Sequence, residues 1–163
     1  MHGQVRILHY NSNAHAIIAS GGRISTMDGT AEEIYEKSLS AGDEKNIRLI
    51  GKVLSSGHTS VLEHASVNLA FENVSVLVEQ FIIEFRLASF TVKSRRYVDF
   101  SKAGFVSPDF SDEAQRAVFE KAVRGMFGVY DALEAAGVPK EDARFVLPYC
   151  LRSNFFVTVN ARE

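Results

Sequence analysis

The sequence predicts an α+β fold in one domain, and three observations carry that expectation. Val67, Leu69 and Phe71 alternate with Asn68, Ala70 and Glu72, the two-residue period of a half-buried strand. Ile47, Ile50, Val53 and Leu54 recur at helical spacing instead. Strand-like and helix-like segments then interleave without a regular βαβ rhythm, which favours α+β over a doubly wound parallel sheet. A chain of 163 residues suits one domain with a real core. No stretch reads as a linker, so residues 1–163 are taken as a single domain.

The elements follow in order. Gln4 to Tyr10 reads as a short strand. Ala14 to Ser20 is apolar and fits a helix or a strand. Gly21-Gly22 marks a tight or close-packed spot. Thr30-Ala31-Glu32-Glu33 is a capping box, so a helix starts there. A second helix covers Asp43 to Ser55, with Gly57 as its stop. The strand through Phe71 ends near Asn73. Ser75 then caps an apolar helix expected from Val76 to Arg86, and Thr91 to Arg96 follows as a polar, basic loop. Ser107-Pro108-Asp109 breaks the chain. Ser111 is expected to cap a long amphipathic helix through Ala136, closed by Gly137. Pro139 to Phe145 opens a short helix that stops before Pro148. Phe155 to Val159 is apolar and reads as an element interrupted at Glu163.

Composition narrows the class. Hydrophobic residues make up 46% and charged residues 23%, ordinary values for a globular domain. No apolar run is long enough to span a bilayer, and Met1 to Arg6 lacks the apolar core of a secretory signal. The single cysteine, Cys150, excludes an intrachain disulfide framework, and a reducing cytoplasm is the simplest location. A formal net charge of −2 argues against bulk electrostatic binding of nucleic acid. Neither a Gly-x-Gly-x-x-Gly fingerprint nor a Gly-x-Ser-x-Gly elbow is present.

Three stretches offer chemistry. Gly57-His58-Thr59-Ser60-Val61-Leu62-Glu63-His64 sets two imidazoles and a carboxylate beside a helix end. A metal site needs a third ligand that the spacing does not supply; a hydrogen-bonded turn is the plainer reading. Glu84 to Tyr97 carries an apolar segment into a loop of hydroxyls and cations. Arginine forks and serine hydroxyls there suit a phosphate. In it Lys93 and Arg95 are expected to be exposed, with Arg96 the better ligand. Arg144 sits among apolar neighbours and needs an anion, either a ligand phosphate or a structural carboxylate. Asn160 and Arg162 pose the same choice.

Taken in order, these segments resemble the flavin-dependent thymidylate synthases over nearly the whole chain. The family hallmark is Arg-His-Arg, seven variable residues, then Ser. Arg86 and Ser94 stand at that spacing, and Ser94-Arg95-Arg96-Tyr97 resembles the family's Ser-x-Arg-Tyr. Gly57-His58 through Glu63-His64, Ala143 to Pro148 and Thr158 to Arg162 match further elements, and Arg23-Ile24-Ser25 resembles an early Arg-Val-Ser. Glu84 and Phe85 depart from the hallmark's first Arg and His, and Val92 replaces a polar residue. The family continues past the Asn-Ala-Arg element with a helix and an Arg-rich segment, which the resemblance places beyond Glu163.

The resemblance implies an α+β fold with a mixed or antiparallel sheet and long helices. It implies reductive methylation of dUMP to dTMP, using FAD, NADPH and methylenetetrahydrofolate. Ser94, Arg96 and Arg144 would hold dUMP. Ser25, Ser60, Glu63, Arg86, Leu87 and Asn160 would line the flavin site. His58 would sit near the reacting rings, and with Ser94 it is the catalytic assignment; no metal is implied. A homotetramer is the implied assembly. The alternative is a non-catalytic flavin- or nucleotide-binding paralogue that partners a full-length homologue.

Overall fold

The computed structural model describes residues 2–163. Four strands, β1 (Gln4–Tyr10), β2 (Ser66–Ser75), β3 (Ala88–Val92) and β4 (Arg152–Asn160), form one sheet in the order β1-β2-β4-β3. The register is antiparallel. Ala161 N donates to Ala65 O at 2.9 Å, and Val76 N donates to Leu151 O at 2.9 Å, so β2 and β4 run in opposite directions. The chain gathers into two compact units built from separated stretches. One holds the N-terminal stretch through Arg6 with Ala70–Phe85 and Phe90–Phe156; the other holds Ile7–Leu69, Arg86–Ser89 and Val157–Glu163.

The unit containing Ile7–Leu69 carries helices α1 (Ala14–Ile24), α2 (Ala31–Ala41) and α3 (Asp43–Ser55), then a 3₁₀ turn over Thr59–His64. The ambiguous segment after Ala14 is helical, with Ala16, Ile18 and Ala19 buried. Ile18 packs with Val61 and Ala65, covered by Ile50, Val53 and Leu54. Gly21 and Gly22 lie inside α1 at a close approach. A Cβ on Gly21 would stand 2.9 Å from His64 Cδ2, and one on Gly22 would stand 3.0 Å from Val53 Cγ2. The capping box forms as expected: Thr30 Oγ1 accepts from Glu33 N and Glu33 Oε2 accepts from Thr30 N. Past α3, Gly57 adopts φ +85°, the left-handed geometry that ends a helix.

The other unit carries α4 (Val76–Ile82), α5 (Glu113–Ala135) and α6 (Lys140–Ala143), the last running into a 3₁₀ turn over Arg144–Val146. Its core joins Val76, Phe100 and Leu151 with Val98, Phe127 and Leu147. Phe71 and Phe155 stack across β2 and β4 with centroids 4.7 Å apart, an aromatic pair worth about 0.5–1.5 kcal/mol beyond its burial.

Three boundaries differ from expectation. The helix after Ser75 ends at Ile82 rather than Arg86. Ile83 to Phe85 turn away through bonds from Glu84 N to Phe81 O and from Phe85 N to Ile82 O, and the chain then enters β3. Strand β3 itself occupies ground expected to be loop, because pairing to β4 supplies partners for its backbone. Asp112, not Ser111, caps α5: its Oδ1 accepts from Ala114 N at 2.8 Å. The apolar run at Phe155 to Val159 is the body of β4, flanked by β2 and β3; Ser153, Phe155 and Val157 alternate inward. No helix among the described residues is long and apolar enough to cross a membrane.

Candidate active site

The residues expected around a flavin, except Arg86, form two groups in the unit containing Ile7–Leu69. Ser25, His58 and Ser60 line one cavity of about 480 Å³ with Gly21, Gly22, Thr26, Lys52 and Ser56. Ser25 is the C-cap of α1, and His58 and Ser60 enter on the 3₁₀ turn that Gly57 initiates. Four hydroxyls, an imidazole and one ammonium make this wall polar. The Ser25, Thr26 and Ser56 hydroxyls donate to the carbonyls of Gly22, Arg23 and Lys52, so they face a ligand as acceptors, while Ser60 and Lys52 are left as donors suited to a phosphate. The two glycines open it by omitting side chains, one against His64 and one against Val53.

The second group is a hydrogen-bonded chain. Asn160 Nδ2 donates to Leu87 O at 3.1 Å, and Asn160 Oδ1 accepts from Arg162 N at 3.0 Å. The Arg162 guanidinium closes the chain on the Glu63 carboxylate. Glu63, Leu87 and Asn160, assigned from three distant motifs, are therefore physically linked. Arg162 is the residue that links them. The sequence had marked it only as an arginine needing an anion, and Glu63 is that anion.

Below this layer Arg23 fixes the helices. Its Nη1 donates to Ser38 Oγ at 2.6 Å and to Asn46 Oδ1 at 2.8 Å, and Asn46 Nδ2 donates to Ser38 O at 2.8 Å. Ser38 and Asn46 are fully buried. The early Arg23-Ile24-Ser25 motif thus combines one structural arginine with one residue of the cavity wall.

The residues expected to hold a nucleotide phosphate, Ser94, Arg96 and Arg144, belong to the other unit. Ser94 caps a turn: its Oγ accepts from Arg96 N at 3.2 Å, and its carbonyl accepts from Val98 N at 3.1 Å. Arg96 is exposed and Arg144 half-buried. Arg144 Nε donates to Glu141 O at 2.9 Å, and its guanidinium lies 5.8 Å from the Phe145 centroid. Among the described residues no carboxylate forms an ion pair with Arg96, Arg144 or Arg86. Arg86 is exposed on the turn before β3, beside exposed Glu84 and Phe85.

One expectation is overturned here. Arg95 is not a solvated charge. Its Nη1 and Nη2 donate to the two oxygens of Glu79, at 3.1 and 2.8 Å, and Glu79 is buried on α4. Ser153 Oγ donates to the same carboxylate. A buried carboxylate needs such partners, and a Glu inside the apolar α4 sequence was the signal for them. Lys93 is exposed as expected.

An α+β fold with these elements defines the class, and the comparisons place the chain within it. The family model described as Thymidylate synthase complementing protein matches residues 6–163. The chain belongs to this family, that of the flavin-dependent thymidylate synthases. A relative from Geobacter sulfurreducens named flavin-dependent thymidylate synthase is 38% identical over 98% of this chain and 69% of its own length. One of the same name from Thermococcus onnurineus is 31% identical over 98% of this chain and 66% of its own. The chain thus spans about two thirds of the length of these curated relatives. Among solved structures, a UMP/dUMP methylase PolB from Streptomyces cacaoi, bound with 5-Br dUMP, superposes with a TM-score of 0.75. That match covers 98% of this chain and 73% of the other at 23% identity, a likeness of fold.

Proposed function

We propose that this chain forms the larger part of an FAD-dependent thymidylate synthase that methylates dUMP to dTMP with methylenetetrahydrofolate and NADPH. The observation that carries the reading is the convergence of separated motifs. Ser25, His58 and Ser60 share one cavity, and Glu63, Leu87 and Asn160 share one hydrogen-bonded chain. FAD fits this polar wall, where the Ser60 hydroxyl and the Lys52 ammonium are the donors offered to its phosphates. When bound, FAD supplies the redox chemistry and the carrier for the one-carbon unit. The chain's own residues bind and orient. Ser94, Arg96 and Arg144 grip the dUMP phosphate through charge-assisted bonds. His58 stands near the reacting rings, and no side chain is required as a covalent nucleophile. Arg86, Leu87 and Asn160 border the flavin.

Assembly as a homotetramer belongs to the same reading. Leu77, Val78 and Phe81 are exposed apolar side chains on α4, a face that association would cover. A cytoplasmic location fits a nucleotide biosynthetic role. The exposed carboxylate of Glu84 at a hallmark arginine position favours a second reading, a flavin- or nucleotide-binding paralogue that works beside a full-length homologue.

Calorimetry with dUMP tests the assignment. Each charge-assisted phosphate contact is worth about 1.5–3 kcal/mol, so Arg96→Ala and Arg144→Ala should each weaken dUMP by roughly ten- to a hundredfold. Wild-type protein with no measurable dUMP affinity, or variants that bind as tightly as wild type, would refute it.

A further inference from the structure

We propose that the Glu79–Arg95 pair positions the phosphate-binding turn, making Arg95 and Glu79 positioning residues for dUMP; this rests on the nucleotide reading of Ser94 and Arg96 given above. Arg95 stands between those two residues in the chain, yet faces the other way. Arg96 is exposed and Ser94 is half-buried with its hydroxyl accepting from Arg96 N, whereas Arg95 plants both Nη atoms on one carboxylate. Its side chain is 20% exposed and that of Glu79 is 1% exposed. Glu79 also accepts from Ser153, a fully buried residue of β4. The turn is therefore tied through one side chain to both α4 and β4.

A fork on a carboxylate fixes orientation as well as distance. Because the neighbours of Arg95 share its backbone, the clamp restricts where Ser94 Oγ and the Arg96 side chain begin. The Ser94 Oγ bond to Arg96 N completes the turn at 3.2 Å. A basic turn without the clamp would have to be ordered by the ligand, and that ordering would be subtracted from affinity. Stability alone does not account for the arrangement, since buried ion pairs are often replaceable by apolar residues at no loss. A single fork facing inward between the turn-capping Ser94 and the exposed Arg96 matches a positioning role.

The test is a binding cycle on the full chain with dUMP as the probe. Arg95→Lys keeps the charge against Glu79 but loses the fork. The double replacement Glu79→Leu with Arg95→Met removes both charges together. Each is measured alone and combined with Arg96→Ala, with thermal unfolding of every protein recorded. The expected result is a dUMP affinity about tenfold weaker for the double replacement, with a smaller loss for Arg95→Lys. Arg96→Ala should then cost clearly less in either background than in wild type, because the clamp acts through Arg96. A purely structural pair would instead lower the melting temperature and leave the effect of Arg96→Ala unchanged. That multiplicative outcome, or unchanged dUMP affinity in both folded variants, overturns the inference while leaving the nucleotide reading intact. Wild-type protein that does not bind dUMP overturns both. If the double replacement does not fold, Arg95→Lys alone with Arg96→Ala decides the same question.

Discussion

Replacing Glu84 with arginine and Phe85 with histidine should strengthen FAD binding roughly two- to tenfold, and the exposure of both residues sets that size. At about 4 Å and an effective dielectric near 20, one carboxylate–phosphate contact costs roughly 4 kcal/mol. Glu84 is exposed, however, and Phe85 is 48% exposed. Water screens such a contact toward about 1 kcal/mol. Reversing the charge removes one repulsion and adds one attraction, roughly 2 kcal/mol together by the same screening. Ordering a long arginine side chain takes back about 0.5–1.5 kcal/mol. The remainder, about 0.5–1.5 kcal/mol, is roughly two- to tenfold in affinity. The histidine returns a hydrogen-bonding ring where Phe85 offers only an apolar one, at little hydrophobic cost in a half-exposed position. Flavin fluorescence titration of wild type, Glu84→Gln and the Glu84→Arg, Phe85→His double variant measures the series. Affinity should rise stepwise from wild type through Glu84→Gln to the double variant. Equal or falling affinity along the series would refute the reasoning, because it would mean that Glu84 does not face the flavin phosphates.

Two further perturbations address the frame that carries the site. Arg23→Met leaves buried Ser38 and Asn46 without their shared donor, so stability should fall by about 2–4 kcal/mol. In a chain of this length that lowers the melting temperature by roughly 5–15 °C; a shift under about 2 °C would show that water replaces the guanidinium without loss. Glu33→Gln removes the carboxylate of the capping box. The Thr30 backbone N–H, and to a smaller extent its hydroxyl, hold that carboxyl below its usual range. A depressed carboxyl stabilises the fold above its unfolded value, about 4.3, and that contribution disappears as pH falls through the folded value. The melting difference between wild type and Glu33→Gln should therefore be larger at pH 7 than at pH 3, and a difference independent of pH would contradict the capping role.

Local signals in the sequence were good guides to elements. The Thr30 box, the Ser75 cap and the positive-φ ends at Gly57 and Gly137 all depend on nearest neighbours, and each appears in the structure. Gly21-Gly22 was legible as a close approach, although its partners His64 and Val53 come from later in the chain. Failures arose where partners lie far off. The end of α4 and the presence of β3 depend on pairing with β4, more than sixty residues later. Arg95 read as a solvated charge because its anion, Glu79, was hidden in an apolar helix on the other side of β3. Arg162 needed an anion by burial logic, but only the fold identifies that anion as Glu63, ninety-nine residues away. The grouping of flavin-assigned residues in one unit and phosphate-assigned residues in the other is a tertiary property. No periodicity reports it.

The central claim is that the cavity of Ser25, His58 and Ser60 and the Glu63–Arg162–Asn160 chain serve a flavin. The most direct measurement is FAD titration of wild type against Ser60→Ala and Asn160→Ala. Ser60→Ala removes one hydroxyl, worth about 1 kcal/mol, and should weaken FAD roughly fivefold. Asn160→Ala removes the amide that ties Leu87 O to Arg162 N and should weaken FAD at least as much, with the fold intact by circular dichroism. Saturable FAD binding to wild type, weakened by both substitutions, is the predicted result. No saturable binding, or binding indifferent to both substitutions, would contradict the account.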